Sequence, residues 1–456
     1  MNQYILLAFC IYACILLRIG LFFFKKSRSL AQYTLGNRST NYFVTAIATQ
    51  ASDMSGWLML GLPAQVYANG IEELWTIAGL VFFMFISWHI IAPRIRNKAA
   101  EYKSLTLTSL LSAYFKDTHN ILKITGALIS VYFFTCYIAS GIVGLGRVFE
   151  TAFTIPYHSG IVLGIIITLF YTLLGGFLAV SWANTFQGIF LLCMIMVVPF
   201  SALCTLNLVP FSLQSFLPSA PTAWHQTLHG MLLSIGWGIG YFGQPHILTY
   251  FMGIDDPKNI RYAKYVGMIW QLSALCAAAF IGLIGARFFG INTVLNAEML
   301  FITLSEIMFH PLIVGFTLCA ILAAILTSIS SYLLIAASNI TTDFMLPLAH
   351  TSFTDRQLVL FSRIAACLVA FLSLAISWQN SATIYHLVNY AWSGLGAAFG
   401  PLVIIMLNNK PVSAPTACKG MIFGAVTAAL WPLFGIDVLP LIPGFIVNIL
   451  ILIELV

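Results

Sequence analysis

Apolar residues in this chain come in long runs and do not alternate with polar ones. The runs fall at about 4–24, 40–67, 74–92, 122–146, 159–174, 178–206, 229–252, 264–289, 309–342, 358–377, 383–407, 420–435 and 438–455. Each approaches the roughly 20 residues that an α-helix needs to cross a bilayer. A membrane β-barrel would show alternating segments of about 10 residues instead. The pattern therefore predicts an all-α polytopic membrane protein with about 13 transmembrane helices. Between the fifth and sixth runs, LLGGF (173–177) predicts a tight Gly-Gly turn.

Two of the runs are interrupted from within. In QASDMSGWLML (50–60), Asp53 sits among Ser52, Ser55 and Gly56, none of which favours a helix interior. A carboxylate at the bilayer centre costs about 2.5–3.5 kcal/mol on insertion scales. Asp53 either caps a helix at a bend or marks an ion or solute pathway. A break here frees carbonyls to hold a cation and N–H groups to hold a carboxylate. The second stretch is GWGIGYFGQPH (236–246), with four glycines and Pro245 around Trp237 and Tyr241. It reads as close helix packing or as an unwound helix lining a cavity.

These breaks open two five-helix units, a first repeat at about 40–206 and a second at about 229–407. An odd number of helices per unit inverts the second against the first. Paired interrupted helices at corresponding positions point to a transporter's midplane site. The remaining runs, 4–24, 420–435 and 438–455, are peripheral to this single transmembrane domain. A third candidate is ILAAILTSISSYLL (321–334), where Thr327, Ser328, Ser330 and Ser331 crowd together. Their hydroxyls either bond back to carbonyls one turn earlier or supply oxygen ligands to a hard cation.

Charge adds an orientation. With the N-terminus outside, 17 of the 20 Lys and Arg fall in inner loops, including Lys25, Lys26, Arg28, Arg38, Arg96 and Lys123. The C-terminus is then inside. The positive cluster follows the first run, so no cleavable signal peptide is expected. The longest inner loop, about 93–121, is too short to bury a core of its own, and no cytoplasmic tail is expected after the last run.

Composition narrows the class further. Hydrophobic residues make up 60% and charged residues 7%, against about 25% charged in soluble domains. The net charge of +6 reflects loop bias, not nucleic-acid binding. Nine cysteines are scattered without a CxxC pair, mostly inside apolar runs, so a metal or disulfide framework is not expected. No HExxH or P-loop occurs, and no catalytic dyad is visible, so an enzyme is not expected. His89, His246 and His310, at helix ends or bends, read as structural.

Six stretches resemble the sodium/proline symporters of the sodium:solute symporter family. They are YTLGNRSTNYFVTAIATQASDMSGWLMLGLP, FFTCYIASGIVGLGRVFE, GGFLAVSWANTFQ, WGIGYFGQPHIL, ILAAILTSISS and YAWSGLGAAFGP, in order from about residue 30 onward. The resemblance implies a five-plus-five inverted-repeat (LeuT-like) core, with one helix before it and two after. It implies a sodium site on backbone oxygens of Ala51, Met54 and Ala324 and the hydroxyls of Thr327 and Ser328. Asp53 is implied in ion coupling, and Arg38 matches an arginine on the inner side. The implied substrate pocket falls around Ser55, Gly56, Trp57, Tyr137, Trp237, Tyr241 and Gln244. One departure stands out: Asn184 occupies a position that is acidic in the proline symporters, which puts ion release and stoichiometry in question.

The function these features imply is sodium-coupled symport of a small amino acid, L-proline, across the plasma (inner) membrane. Sodium is co-transported, and neither a nucleic acid nor an obligate protein partner is expected. A sodium- or proton-coupled symporter of another small solute stays open, as does a solute sensor that does not transport.

Overall fold

The computed structural model describes residues 3–24, 29–205, 230, 235–290, 296–349, 352–379, 383–436 and 438–454. Lys25, Lys26 and Arg28, the residue at 206, most of 229–234 and the residue at 455 lie outside the described residues. Helices account for nearly all of the described secondary structure, and extended pairing is confined to one bridge between Thr40 and Ile254.

Eight helical stretches among the described residues are long and apolar enough to cross a membrane. Three shorter apolar helices, Gln3–Ile19, Tyr157–Phe170 and Leu441–Ile453, fall on further apolar runs. Neither 40–67 nor 229–252, the two runs expected to break, forms an uninterrupted helix.

The first helix is α1 (Gln3–Phe24). The first broken span begins with α2 (Tyr42–Asp53), capped by the Asn41 side chain on Val44 N–H. It stops at Met54 (φ −82°, ψ 20°) and resumes through a wide π turn, Trp57–Gly61, into α3 (Leu62–Asn69). Pro63 is the second residue of α3 and lacks the N–H that would bond a carbonyl one turn back, so the preceding turn widens. The same relation recurs twice. A π turn at Ser87–Ile91 joins α4 (Leu74–Ile86) to α5 (Ala92–Glu101), where Pro93 is second. Another at Ile340–Met345 precedes Pro347.

The loop expected at about 93–121 is largely helical. It holds most of α5 and then α6 (Leu107–Tyr114), capped by Thr106. After it come α7 (Ile121–Phe153) and α8 (Tyr157–Thr205). The expected Gly-Gly turn divides α8 at Gly176, whose φ of 63° and ψ of −165° no continuous helix adopts.

The second broken span enters as a tight 3-10 segment, Trp237–Phe242. It passes through extended Gln244 (ψ 108°) into α9 (Pro245–Gly253). The long helices that follow are α10 (Ile260–Phe289), α11 (Pro311–Asn339), α12 (Asp355–Ser377), α13 (Ile384–Leu407), α14 (Ala414–Leu430) and α15 (Leu441–Glu454). Shorter ones lie at Leu30–Leu35 and Leu300–Met308. Every residue from Thr317 to Asn339 in α11 is buried, as befits a helix that is apolar all round. It packs on α1, α2, α7, α8 and α12, which puts its hydroxyl cluster at the centre of the molecule.

Candidate ion and solute site

The hydroxyl cluster on α11 meets the break after α2. Thr327 Oγ1 lies 2.8 Å from the Ala51 carbonyl oxygen and 2.9 Å from that of Ala324. A hydroxyl has one proton, so it cannot fully satisfy both carbonyls at once. Ser328 Oγ donates to the same Ala324 oxygen at 3.1 Å. Ser330 and Ser331 each donate back to the Thr327 carbonyl. Of these four hydroxyls, Thr327 is the one that reaches the first broken span. Ala51, Ala324, Thr327 and Ser328 thus meet, all within 2% of fully buried. Met54 sits at the break itself, buried to 1% exposure.

Asn184 projects into the same region from α8. Its Nδ2 donates to Ser331 Oγ (2.8 Å), Tyr250 Oη (3.0 Å) and the Thr327 carbonyl (3.3 Å). A neutral amide therefore knits α8, α9 and α11 together beside the oxygen cluster.

Asp53, the last residue of α2, turns toward the second broken span. Tyr241 Oη donates to its Oδ2 at 2.9 Å, and Gln271 Nε2 donates in turn to Tyr241 Oη at 3.2 Å. Next to Asp53 is a cavity of ≈ 20 Å³, lined by Asp53, Met54, Trp57, Tyr137, Trp237 and Tyr241 together with Leu80, Val388 and Trp392. That volume holds about one water, so an amino acid requires this site to open. Trp57 and Trp237 meet at 5.4 Å between ring centroids, and Trp392 stands edge-on to Tyr241 at 5.0 Å.

Four of the expected solute residues, Trp57, Tyr137, Trp237 and Tyr241, line this cavity. The other three, Ser55, Gly56 and Gln244, do not line it. Ser55 Oγ accepts from Trp57 N–H, and a side chain at Gly56 would press on Ile325 of α11. Gln244 Nε2 donates to the Trp392 carbonyl, bracing α13 against the break. Trp392 and Tyr332 are the aromatic residues that sequence reasoning passed over. Trp392 lies inside YAWSGLGAAFGP, and Tyr332 directly follows the hydroxyl cluster.

Polar contacts also tie the elements together at each end of α7, which holds Lys123 near its start and Arg147 near its end. At one end Arg38 donates to the Ala99 and Ser104 carbonyls, and Arg96 to those of Ile254 and Asp255. Asp343, fully buried, accepts from Thr106, Thr108 and Ser109 and lies 3.7 Å from Lys123 Nζ. At the other end Arg147 pairs with Glu298. Burial pushes the Glu298 carboxyl up from its ordinary range, against the lowering effect of Arg147.

The sequence model of the sodium:solute symporter family matches residues 33–424. The chain belongs to the sodium:solute symporter family. A sodium/proline symporter of Staphylococcus aureus (strain JH9) is 37% identical over 476 residues, covering 99% of this chain and 91% of that protein. Among solved structures, a Na+-coupled sialic acid symporter in a substrate-bound outward-open state superposes with a TM-score of 0.78 at 15% identity. That match covers 99% of this chain and 97% of the other. Mhp1, a nucleobase-cation-symport-1 family transporter, superposes at 0.58 with 18% identity, covering 94% of both chains. The fold of this family member is therefore the LeuT-like one, and the family is one of transporters, not enzymes. The chain is an integral plasma-membrane protein.

Proposed function

We propose that this chain is a sodium-coupled symporter that imports L-proline. One observation carries the reading: Thr327 Oγ1 stands between the carbonyl oxygens of Ala51 and Ala324, and the same broken span lends Asp53, Met54 and Trp57 to a small aromatic-lined cavity. Discontinuous helices expose carbonyls that hold sodium in transporters of this architecture. Sodium bound to Ala51, Met54, Ala324, Thr327 and Ser328 ties the first broken span to α11. The same span carries Asp53 and Trp57 into the solute cavity, so each ligand tightens the other. Trp57, Tyr137, Trp237 and Tyr241 enclose a compact apolar ring, and Ser55, Gly56 and Gln244 brace that wall. The kinship with sodium/proline symporters supports L-proline as the solute.

The transmembrane unit divides into repeats at about 40–206 and 229–407, with 4–24, 420–435 and 438–455 peripheral. The N-terminus lies outside and the C-terminus inside. Two contacts support the orientation: Lys98 reaches Asn409, and Lys123 lies near Asp343. Segments read as separate inner loops, around Lys98 and Lys123, Asp343 and Asn409, thus meet one another.

Uptake of labelled L-proline into proteoliposomes tests the function. An inward sodium gradient drives accumulation, and its collapse abolishes it. Accumulation that ignores sodium, or follows a proton gradient alone, overturns the proposal.

A further inference from the structure

The second broken span brings a second nitrogenous side chain to Asp53. His246 is the second residue of α9 and is fully buried. Its Nε2 lies 3.6 Å from Asp53 Oδ1, too far for a hydrogen bond. Neither ring nitrogen of His246 has a hydrogen-bond partner among the described residues. The ring is enclosed by Tyr332 at 4.8 Å, Phe134 at 6.2 Å, Tyr137 at 6.3 Å and Trp392 at 6.5 Å. Tyr137 and Trp392 also wall the solute cavity. Buried polar groups without partners are costly, so a ligand that supplies donors to this pair gains by binding there.

The two oxygens of Asp53 differ. Oδ2 accepts from Tyr241, while Oδ1 faces the histidine across an unbridged gap. With the ring proton on Nδ1, Nε2 offers a lone pair. Oδ1 and Nε2 are then two acceptors 3.6 Å apart, a pair that a positively charged donor with two N–H bonds satisfies. We propose that Asp53 and His246 together bind the ammonium group of the transported amino acid, taking one N–H each. The inference rests on reading the chain as a sodium-driven amino-acid symporter. It assigns the ammonium to the second broken span's histidine, and it gives the site a preference for solutes whose nitrogen keeps two hydrogens. A secondary ammonium such as that of L-proline has just two.

Competition binding in proteoliposomes at saturating sodium tests it, with L-proline and N-methyl-L-proline displacing labelled L-proline. The methylated compound keeps the charge and one N–H. The native protein binds L-proline about ten- to a hundredfold tighter, the worth of a charge-assisted hydrogen bond. His246→Phe keeps a ring without an acceptor. It weakens L-proline by a similar factor and leaves the methylated ligand nearly unchanged, so the ratio falls toward one. His246→Gln retains a carbonyl acceptor and most of the ratio. Sodium binding in the absence of solute stays as in the native protein. A ratio near one in the native protein, which needs no variant to fold, overturns the inference. So does equal weakening of both ligands by His246→Phe. Sodium-driven uptake by the native protein separates the failures. If it persists while the ratio is insensitive to His246, only this inference falls. If it is missing, the symport reading falls and takes the inference with it.

Discussion

Thr327 Oγ1 lies 2.8 Å from the carbonyl oxygen of Ala51, a residue 276 positions away in the sequence. The contact joins α11 to the point where the first broken span stops being a helix. It places one hydroxyl among oxygens that a small cation satisfies better than a single proton does.

Thr327→Ala removes that oxygen and leaves the two carbonyls without a shared partner. The sodium concentration for half-maximal proline uptake is expected to rise about tenfold or more, as for a lost hydrogen bond to a charged group. Thr327→Ser keeps the oxygen and stays close to the native value. A sodium titration of initial uptake rates reads both.

Asp53 and Tyr241 act as one unit across the two breaks. Tyr241→Phe leaves the aromatic wall and removes the 2.9 Å hydrogen bond to Asp53. It is expected to weaken solute binding by about ten- to a hundredfold. Asp53→Asn removes the charge and costs at least as much. The double variant is no worse than Asp53→Asn alone, because interacting residues are not additive. Equilibrium binding of labelled proline with sodium present measures the cycle.

Asn184→Asp puts a carboxylate where an amide now donates to Ser331, Tyr250 and the Thr327 carbonyl. A buried unpaired charge destabilises, so this variant is expected to melt below the native protein in sodium-free choline buffer. Sodium restores its thermal stability by more than it raises that of the native protein, because the new charge attracts the cation. Thermal unfolding in detergent across a sodium series checks the sign.

Asp343→Asn tests the buried contact that ties α6 and the start of α7 to the end of the α11 span. The carboxylate accepts from Thr106, Thr108 and Ser109 and faces Lys123. Losing charge-assisted hydrogen bonds at a fully buried site costs about 1.5–3 kcal/mol. The variant is expected to unfold at lower temperature. Its α6 segment (Leu107–Tyr114) becomes more accessible to added protease.

Several features were readable before any coordinates. The apolar runs marked the helices, and the Ser/Gly- and Gly/Pro-rich stretches marked the two breaks, because backbone preference is local. Gly176 was expected as a turn and has a positive φ. Asp53, Thr327 and the Trp57–Trp237–Tyr241 set could be named from their unusual company inside the lipid. Helix α6 was missed because eight residues between polar neighbours carry too little periodicity to separate from a loop. The reach of Asp343 to α6 was hidden for the same reason: its partners lie 234 to 237 positions away. His246 looked like an ordinary histidine at a helix end. Its meaning comes from Asp53 Oδ1 standing opposite. Gly243 belonged to a stretch that read either as close helix packing or as an unwound helix lining a cavity. In the structure it is a close approach, since a Cβ there would lie 2.4 Å from the Gly400 backbone nitrogen.

By itself the sequence determined that the chain lives in a bilayer, where its long apolar helices fall, and at which stretches two of them fail. Those properties follow from side-chain polarity and backbone propensity within a few positions, which folding does not alter. Only the tertiary structure decided which freed oxygens meet. It put the Ala51 carbonyl against Thr327, set Asp53 beside Tyr241 and His246, gave Ser331 to Asn184 and Tyr250, and left Ser330 bonding back to its own helix. The reason is geometric: hydroxyls one turn apart on α11 are chemically alike, and the packing of α2 and α9 against that helix selects among them.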